Sequence, residues 1–213
     1  VQAAAIPEVF LTAYQTLVLL GDIQKDHKVM IHAGASGVGT AAIQLVRYFE
    51  ADSMVTASAG KHDICLELGT SHAVDYNAAD FEKEALEWTA GKGVNIILDF
   101  IGGDYFNKNL RSLATDGVLI QIAFMGGAKV GDVDLSLILR KRLRIVGTTL
   151  RARSLEYKIN LISGFLRDVM PAIASGDIVP VIDSVYDWEE VEAAHRYMSN
   201  NLNKGKIILE VKE

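Results

Sequence analysis

Apolar residues occur in short runs that alternate with amphipathic stretches from about residue 28 to residue 149. Short apolar runs between turns are typical of buried strands, whereas apolar positions three or four apart are typical of helices. The pattern predicts six strands, over residues 29–32, 54–57, 72–76, 94–100, 118–124 and 145–150. It predicts helices between them, over residues 40–49, 61–68, 80–89, 105–114 and 135–142.

This alternation predicts the fold class. Strands that recur with a helix between them indicate βαβ units, which form a parallel sheet. Right-handed crossover connections then place helices on both faces of the sheet. Six strands fit a doubly wound parallel sheet of order 3-2-1-4-5-6, the Rossmann arrangement of α/β proteins. We therefore expect residues 1–178 to form a Rossmann domain with flanking helices.

The end of the chain departs from the alternation. A helix over residues 155–174, with Pro171 as a kink, precedes a strand over residues 179–185. Asp187 and Glu190 fit a capping box for a helix that ends near residue 198, and a last strand is predicted over residues 206–211. We place a domain boundary after residue 178, so that residues 179–213 form a separate C-terminal segment.

The composition narrows the class of protein. Half of the 213 residues are apolar, and the formal net charge of −6 argues against nucleic acid as the main partner. The single cysteine, Cys65, excludes a disulfide framework and a cysteine-rich zinc site, and it favours a reducing, cytoplasmic compartment. No run of about 18 apolar residues is present, so no membrane span is expected. The N-terminus does not resemble a signal peptide, and because it lacks a starting Met we expect part of a longer protein.

The sequence HAGASGVGTAAIQL, residues 32–45, contains the densest candidate chemistry. Gly34, Gly37 and Gly39 follow a predicted strand and open a predicted helix, the context in which a glycine-rich turn binds a nucleotide diphosphate. The spacing departs from G-x-G-x-x-G. No Gly-Lys-Ser/Thr follows, which excludes a P-loop, and no G-x-S-x-G nucleophile elbow is present. The alternative is a structural turn in a flavodoxin-like domain.

The end of the second predicted strand indicates which nucleotide is bound. NAD-binding domains place Asp or Glu there to accept a hydrogen bond from the ribose 2′-hydroxyl. Ser58 and Lys61 stand at that position here. Because a hydroxyl and an ammonium bind a phosphate that a carboxylate would repel, we expect NADPH rather than NADH. The alternative is a solvated lysine, although a cation is mildly unfavourable at a helix N-terminus.

Four segments carry a family resemblance: HAGASGVGTAAIQL, VTASAGKHDICLELGTSHAVDY, VNIILDFIGG and NKGKIILEV. Together they resemble the zinc-independent quinone oxidoreductase branch of the medium-chain dehydrogenases/reductases, over residues 3–211. The resemblance implies that Lys61 and Tyr76 lie at the 2′-phosphate of NADPH. It implies further cofactor contacts by the residues at matching positions, which are Thr12, Ser36, Gly37, Val38, Ser58, Ile101, Gly102, Phe124, Met125, Gly126, Leu150, Arg151 and Asn203.

The resemblance also implies which part of the cofactor each segment meets. Residues 36–38 match the diphosphate loop, and Thr12 matches a threonine near the nicotinamide ribose. Residues 101–102 match the loop after the fourth strand, and residues 124–126 match the segment beside the nicotinamide. Ser58 stands in a Ser-Ala pair where the family has Gly-Ser.

The same resemblance implies a reaction and an architecture. Family members transfer hydride from NADPH to a quinone or a similar conjugated acceptor, and they form homodimers through the sixth strand. They also have a preceding barrel-like catalytic domain that is absent here. Residues 179–213 would return to that domain, so their strands are expected to lack partners. The substrate pocket would lie between the domains, and no catalytic residue is assigned.

Two other functions remain open. One is an enoyl reductase of the same superfamily. The other is a non-catalytic module that binds NADPH, or RNA through the basic stretch LRKRLRIV, residues 139–146, with Arg151 and Arg153 after it. No aromatic residue in this stretch could stack on a base, so we interpret it as a solvated helix end and expect no nucleic-acid partner.

No metal site is predicted. Zinc-dependent relatives place a ligand just before the segment that matches LTAY, where Glu8 is nearest, but a zinc site needs three protein ligands. Cys65 is interpreted as a buried apolar residue. The histidines are interpreted as surface or core residues, and they are His27, His32, His62, His72 and His195.

Overall fold

The computed structural model describes residues 1–211; residues 212 and 213, the end of the expected C-terminal segment, lie outside the described part. Six strands make up the main sheet: β1 (Lys28–Ile31), β2 (Asp52–Ala57), β3 (His72–Asp75), β4 (Val94–Asp99), β5 (Leu113–Gln121) and β6 (Arg144–Gly147). All neighbours pair in parallel, in the order β3-β2-β1-β4-β5-β6. The doubly wound sheet predicted from the alternation is confirmed.

Helices pack on both faces of this sheet. They are α1 (Pro7–Tyr14), α2 (Gly37–Tyr48), α3 (His62–Glu67), α4 (Phe81–Trp88), α5 (Tyr105–Ser112), α6 (Leu135–Lys141), α7 (Leu155–Asp168), α8 (Met170–Ser175) and α9 (Val191–Ser199). Successive side chains of a strand point to opposite faces. Val29 and Ile31 therefore pack in one core cluster with residues of α1, α2 and α7, whereas Met30 packs in a second with residues of α4 and α5.

Several boundaries differ from the prediction. α2 begins at Gly37 rather than at residue 40, because the Ser36 side chain caps its first turn. β5 ends at Gln121, so Phe124 lies in the following loop rather than in the strand. β6 ends at Gly147, which leaves residues 148–150 outside it.

The chain before β1 forms helices that the alternation does not predict. A 3₁₀ turn (Gln2–Ala5), α1 and a π-helical segment (Gln15–Leu20) make one apolar stretch. By length and mean hydropathy of 1.5, the stretch Gln2–Leu20 could cross a membrane, and 44% of its most apolar window is buried inside the protein. Polar residues interrupt the stretch, so it contains no continuous apolar run of that length. Phe10, Tyr14 and Leu17 from this stretch are fully buried in the core.

The C-terminal segment also differs from the prediction. The predicted helix over residues 155–174 is two helices, α7 and α8, which meet at Val169 ahead of Pro171. The last two strands, β7 (Ile182–Asp187) and β8 (Lys206–Glu210), pair with each other in parallel. The expectation that they lack partners is therefore wrong, because α9 connects them as a βαβ unit of their own. Asp187 and Glu190 form the predicted capping box.

Candidate functional site

The predicted site residues gather at one edge of the sheet. Because all six strands are parallel, their carboxyl ends and the loops that follow them lie on the same side. The strand order reverses between β1 and β4, which opens a crevice at that edge. Every predicted site residue except two follows one of these strands. Thr12 lies in α1, which packs against α2, and Asn203 lies just before β8.

The glycine loop joins β1 to α2 in a tight turn. The Ser36 hydroxyl oxygen accepts a hydrogen bond from the Gly39 N–H at 3.1 Å, which caps the helix. A Cβ on Gly39 would lie 2.4 Å from the Gly34 carbonyl oxygen, so only glycine allows this closeness. The N–H groups of Gly37 and Val38 belong to the first turn and have no partner within the helix. This geometry fits an anion such as a diphosphate.

The C-terminal segment docks on the glycine loop. The Gly205 N–H donates to the Ala35 carbonyl oxygen at 2.8 Å. A Cβ on Gly37 would lie 2.9 Å from Cδ of Lys206, so the stem of this lysine covers one side of the loop. Gln44 of α2 adds two hydrogen bonds to the backbone of Val179. The segment after residue 178 therefore contributes to the candidate site.

Lys61 lies between the end of β2 and this C-terminal segment. Its ammonium donates to the Asn201 side-chain oxygen at 2.8 Å and to the Asn203 carbonyl oxygen at 2.9 Å. Burial lowers the pKa of Lys61 from its ordinary value; nearby Asp183 opposes this shift, and Lys204 adds to it. The structure thus brings together two predicted site residues, Lys61 and Asn203.

Ser58 and Tyr76 lie at the same edge as Lys61. Ala57 of β2 pairs in register with Asp75 of β3, so the residues that follow them, Ser58 and Tyr76, leave the sheet side by side. The Tyr76 side chain is exposed to solvent. The carboxyl ends of β2 and β3 therefore present two hydroxyl groups at the edge of the sheet where Lys61 follows β2.

The loops after β4 and β5 are joined to each other. The Gly126 N–H donates to the Ile101 carbonyl oxygen at 2.8 Å, and the Met125 N–H donates to the Phe100 carbonyl oxygen at 3.0 Å. Gly102 also forms an isolated parallel bridge with Gly127. The predicted residues 101–102 and 124–126 thus form one surface. Phe124 and Met125 present 56% and 76% of their surface to solvent there.

The segment after β6 lies beside these loops in the sheet order. Leu150 packs partly against the core, and the Arg151 carbonyl oxygen accepts from the Lys158 ammonium at 2.9 Å. Two residues on, the Arg153 guanidinium donates to the Thr148 hydroxyl at 3.0 Å and lies over the Tyr157 ring. These contacts connect the segment to α7.

A buried polar network under this edge is not predicted from the sequence. Asp99 ends β4, and its carboxylate accepts hydrogen bonds from the Ile101 and Gly102 N–H groups and from the Asn109 side chain. Asn109 in turn contacts His32, which confirms His32 as a hydrogen-bonded core histidine. The only sequence signal is an acidic residue at the end of the apolar strand VNIILD.

The basic stretch over residues 139–146 is engaged in internal contacts. The Lys141 ammonium donates to three carbonyl oxygens at the end of α5, and Arg142 forms a bidentate ion pair with Asp116. Arg144 donates to the Leu20 carbonyl oxygen at 2.6 Å. These contacts favour a structural role for the stretch over a free phosphate-binding surface.

Residues 1–211 do not fit a zinc ion. Within this described range, no three His, Cys, Asp or Glu side chains form a group that could hold a metal. Burial raises the pKa of the Cys65 thiol to about 11, which disfavours the thiolate that zinc requires.

Comparison with known proteins identifies relatives along almost the whole chain. A family model described as zinc-binding dehydrogenase matches residues 68–209. The synaptic vesicle membrane protein VAT-1 homolog of Homo sapiens is 31% identical over 222 residues, which cover 98% of this chain and 56% of that protein. This chain thus spans little more than half of that relative's length.

Solved structures share the fold. The structure of CurK enoyl reductase matches with a TM-score of 0.84 and 29% identity, and the match covers 99% of this chain and 62% of that one. An NAD-dependent alcohol dehydrogenase matches with a TM-score of 0.84 and 28% identity, over 99% of this chain and 59% of that one.

Proposed function

The chain belongs to the zinc-binding dehydrogenase family of medium-chain dehydrogenases/reductases, and we propose that it is the NADPH-binding part of a zinc-independent oxidoreductase. The observation that carries this proposal is the capped glycine loop at the start of α2, with the Lys61 ammonium at the neighbouring strand end. In the whole protein, hydride would pass from NADPH to a quinone or a similar conjugated carbonyl compound.

NADPH fits the chemistry of the described residues. The first-turn N–H groups of Gly37 and Val38 would bind the diphosphate, and Lys61 with Tyr76 and Ser58 would bind the 2′-phosphate. Lys61 uses two of its three N–H donors on Asn201 and Asn203, so one remains for the phosphate. When bound, NADPH supplies the hydride.

The chain's own residues would orient the cofactor and shield one side from water. The joined loops at residues 101–102 and 124–126 would lie against the nicotinamide, where Phe124 and Met125 offer an apolar surface. An apolar wall suits a flat, conjugated acceptor. The motifs in residues 32–45, 55–76, 94–103 and 203–211 resemble those of the p53-inducible quinone oxidoreductase, and this resemblance supports a quinone as the acceptor.

An enoyl reductase is the second candidate. The structural match to CurK enoyl reductase, at 29% identity, supports this alternative. Turnover of quinones and of 2-enoyl thioesters by the whole protein would distinguish the two. Either activity suits a reducing, cytoplasmic compartment, given a single buried cysteine.

We also propose a homodimer through β6. β6 is an edge strand of the sheet, and its residue Ile145 is exposed. Two apolar side chains of the neighbouring helix, Leu135 and Leu139, are exposed as well. An unpaired edge with apolar residues beside it favours pairing with a second copy.

Replacing Lys61 tests the cofactor assignment. Lys61→Ala should weaken NADPH binding about tenfold or more, because charged hydrogen bonds to a phosphate contribute about 1.5–3 kcal/mol. NADH lacks the 2′-phosphate, so its affinity should stay nearly unchanged. Fluorescence titration of both cofactors measures the two constants.

Lys92→Ala is the matched control. Lys92 is exposed in the turn before β4, at the opposite edge of the sheet, and its removal should change neither affinity. An equal loss of NADPH and NADH affinity in Lys61→Ala would show that Lys61 acts through its contacts with Asn201 and Asn203 rather than by binding the phosphate.

A further inference from the structure

Four buried polar side chains form a continuous chain under the carboxyl edge of the sheet. Asp99 Oδ2 lies 3.0 Å from Asn109 Nδ2, and Asn109 Oδ1 lies 2.8 Å from His32 Nε2. His32 Nδ1 lies 3.0 Å from the Thr56 hydroxyl oxygen. All four residues have at most 1% of their surface exposed. This series of hydrogen bonds connects β2, the loop after β1, α5 and β4.

The donor and acceptor of each hydrogen bond in this network follow from the Asp99 carboxylate. The Asp99 carboxylate only accepts, so the Asn109 amide must present its NH₂ to it and its oxygen to His32. His32 must then carry its proton on Nε2. Burial lowers the pKa of His32, against the opposing effects of Asp99 and Asn109, so the ring is neutral and its Nδ1 accepts from Thr56. The Phe81 and Tyr105 rings enclose it.

The other Asp99 oxygen holds the loop that follows β4. Asp99 Oδ1 accepts from the Ile101 N–H at 2.6 Å and from the Gly102 N–H at 3.0 Å. The Ile101 carbonyl oxygen accepts from Gly126 of the next loop. One carboxylate thus holds the loop after β4, which is joined to the loop after β5, and Asn109 donates to the other oxygen of that carboxylate.

We propose that Asp99 is a positioning residue for the nicotinamide end of the site, and that Asn109 and His32 in its Nε2–H tautomer fix its orientation. The inference rests on the proposed NADPH function. It assigns to Asp99 no contact with the cofactor, only the placement of residues 101–102 and 124–126. Asp99 and Asn109 make no hydrogen bond with Ser58, Lys61 or Tyr76 among the contacts of residues 1–211, and only the His32 end of the network, through Thr56 and Tyr105, approaches the adenosine end.

Asp99→Asn tests the proposal with two ligands. A neutral amide oxygen holds the Ile101 and Gly102 N–H groups more weakly than a carboxylate does. NADPH affinity should therefore fall about threefold to tenfold, whereas the affinity for 2′,5′-ADP, which lacks nicotinamide, should stay within about twofold. Equal changes for both ligands, or none for either, would overturn the positioning role.

The tautomer of His32 tests the hydrogen-bond directions of the network without any ligand. In Asp99→Asn, the new NH₂ faces Asn109, whose amide must turn over, so His32 must accept at Nε2 and move its proton to Nδ1. Nitrogen-15 NMR of the His32 ring should report the Nε2–H form in the native chain and the Nδ1–H form in the variant. The Nδ1–H form in the native chain would overturn the proposal, even if the variant does not fold.

An exchange of the two side chains separates positioning from stability. In the double variant Asp99→Asn/Asn109→Asp, the carboxylate moves from the end of β4 to α5, where it accepts from the His32 Nε2–H and from the new amide on β4. The oxygen of that amide accepts from the loop N–H groups, so every hydrogen bond of the network can form. Thermal stability and the Nε2–H tautomer should return, but NADPH affinity should stay low because the charge no longer faces the loop. Recovery of NADPH affinity together with stability would show that the role is only structural.

Ligand binding by the native chain distinguishes a failure of the proposed NADPH function from a failure of the positioning role of Asp99. If this chain binds neither NADPH nor 2′,5′-ADP, the proposed function fails and the positioning role fails with it, although the tautomer would still report on the network. If the native chain binds both ligands but the variants do not show the expected changes in affinity, the proposed function stands and the role of Asp99 is overturned.

Discussion

At the scale of single residues, the three glycines of the loop have different structural roles. Gly34 and Gly39 allow close packing: a Cβ on Gly34 would lie 2.5 Å from Cβ of Val55, and one on Gly39 would meet backbone. Gly37 differs because the nearest atom to a Cβ there would be Cδ of the flexible Lys206 side chain, at 2.9 Å, with Val9 at 3.0 Å. The end of the flexible Lys206 side chain can move, so Gly37 is the position where ligand binding can be tested with the fold intact.

Gly37→Val should reduce the affinity for both NADPH and NADH while the protein stays folded. The branched side chain would occupy the space that the diphosphate needs, and it would displace the Lys206 stem. We expect at least about a tenfold loss for each cofactor, with an unfolding free energy lower by about 1–3 kcal/mol because the site becomes overpacked. Cofactor titration and chemical denaturation measure the two effects.

Gly39→Ala is the contrasting variant. Its Cβ would lie 2.4 Å from the Gly34 carbonyl oxygen and 2.5 Å from that of Ala33, so the loop itself must distort. We expect a larger loss of stability than in Gly37→Val. If Gly37→Val keeps native circular dichroism and full affinity for both cofactors, the loop does not bind the diphosphate.

Those residues of the candidate site that directly follow a predicted strand could be predicted from the sequence. The glycine loop and Lys61 follow predicted strands, so parallel strands place them at one edge. Asp99 and Asn109 could not be predicted, because their partners lie on other elements and only the packed fold brings them together. The contact of Lys61 with Asn201 was missed for the same reason.

At the scale of elements, the inner strands of the main sheet, β1, β2, β4 and β5, could be predicted because most of their residues are buried. A strand such as β1, with Val29, Met30 and Ile31 fully buried, must be apolar throughout. The pairing of β7 with β8 could not be predicted, since most of their residues are only partly buried and the pattern does not identify a partner. The helix through Phe10 and Tyr14 lacks flanking strands that would reveal it.

Removing the Lys141 side chain tests the structural interpretation of the basic stretch. Its ammonium lies at the C-terminal end of α5 and donates to the carbonyl oxygens of Leu110, Arg111 and Leu113. Lys141→Ala should lower the free energy of unfolding by about 1–3 kcal/mol, because it leaves these carbonyl groups without their charged donor. Chemical denaturation measures the change.

Arg140→Ala is the control within the same helical turn. The Arg140 side chain is 66% exposed and lies 3.8 Å from Asp134, so its loss should change the unfolding free energy by less than about 0.5 kcal/mol. Gel shift with RNA should detect no binding by the native chain. RNA binding that both variants abolish without loss of stability would instead identify the stretch as an interface.

At the scale of the whole molecule, large apolar side chains are exposed at two places. Phe124 and Met125 are exposed above the carboxyl edge. α7 presents an exposed apolar stripe, made up of Leu155, Ile159, Ile162 and Leu166. The chain spans 62% of the CurK enoyl reductase structure. The domain boundary after residue 178 stays a prediction, and the contacts of the C-terminal segment with the glycine loop show that both parts contribute to the candidate site.

The proposed dimer can be tested at the edge of the sheet. Sedimentation mass of the native chain should be that of a dimer, and Ile145→Lys should give a monomer, because a charge on β6 opposes edge pairing. Leu66→Lys, on exposed α3, is the matched control and should leave the mass unchanged. A dimer that survives Ile145→Lys would show that the two copies meet through another surface.

The 213-residue chain alone should bind NADPH but reduce quinones poorly. The groups proposed to bind the diphosphate and the 2′-phosphate lie within residues 1–211, so most of the binding energy is available. The nicotinamide end has only one wall, since Phe124 and Met125 face solvent, and a poorly oriented acceptor costs about 100-fold or more in rate. Titration with NADPH, and turnover of quinones and of 2-enoyl thioesters, measure the outcome. Full quinone turnover by this chain would contradict the two-domain interpretation and would place the acceptor site wholly within these residues.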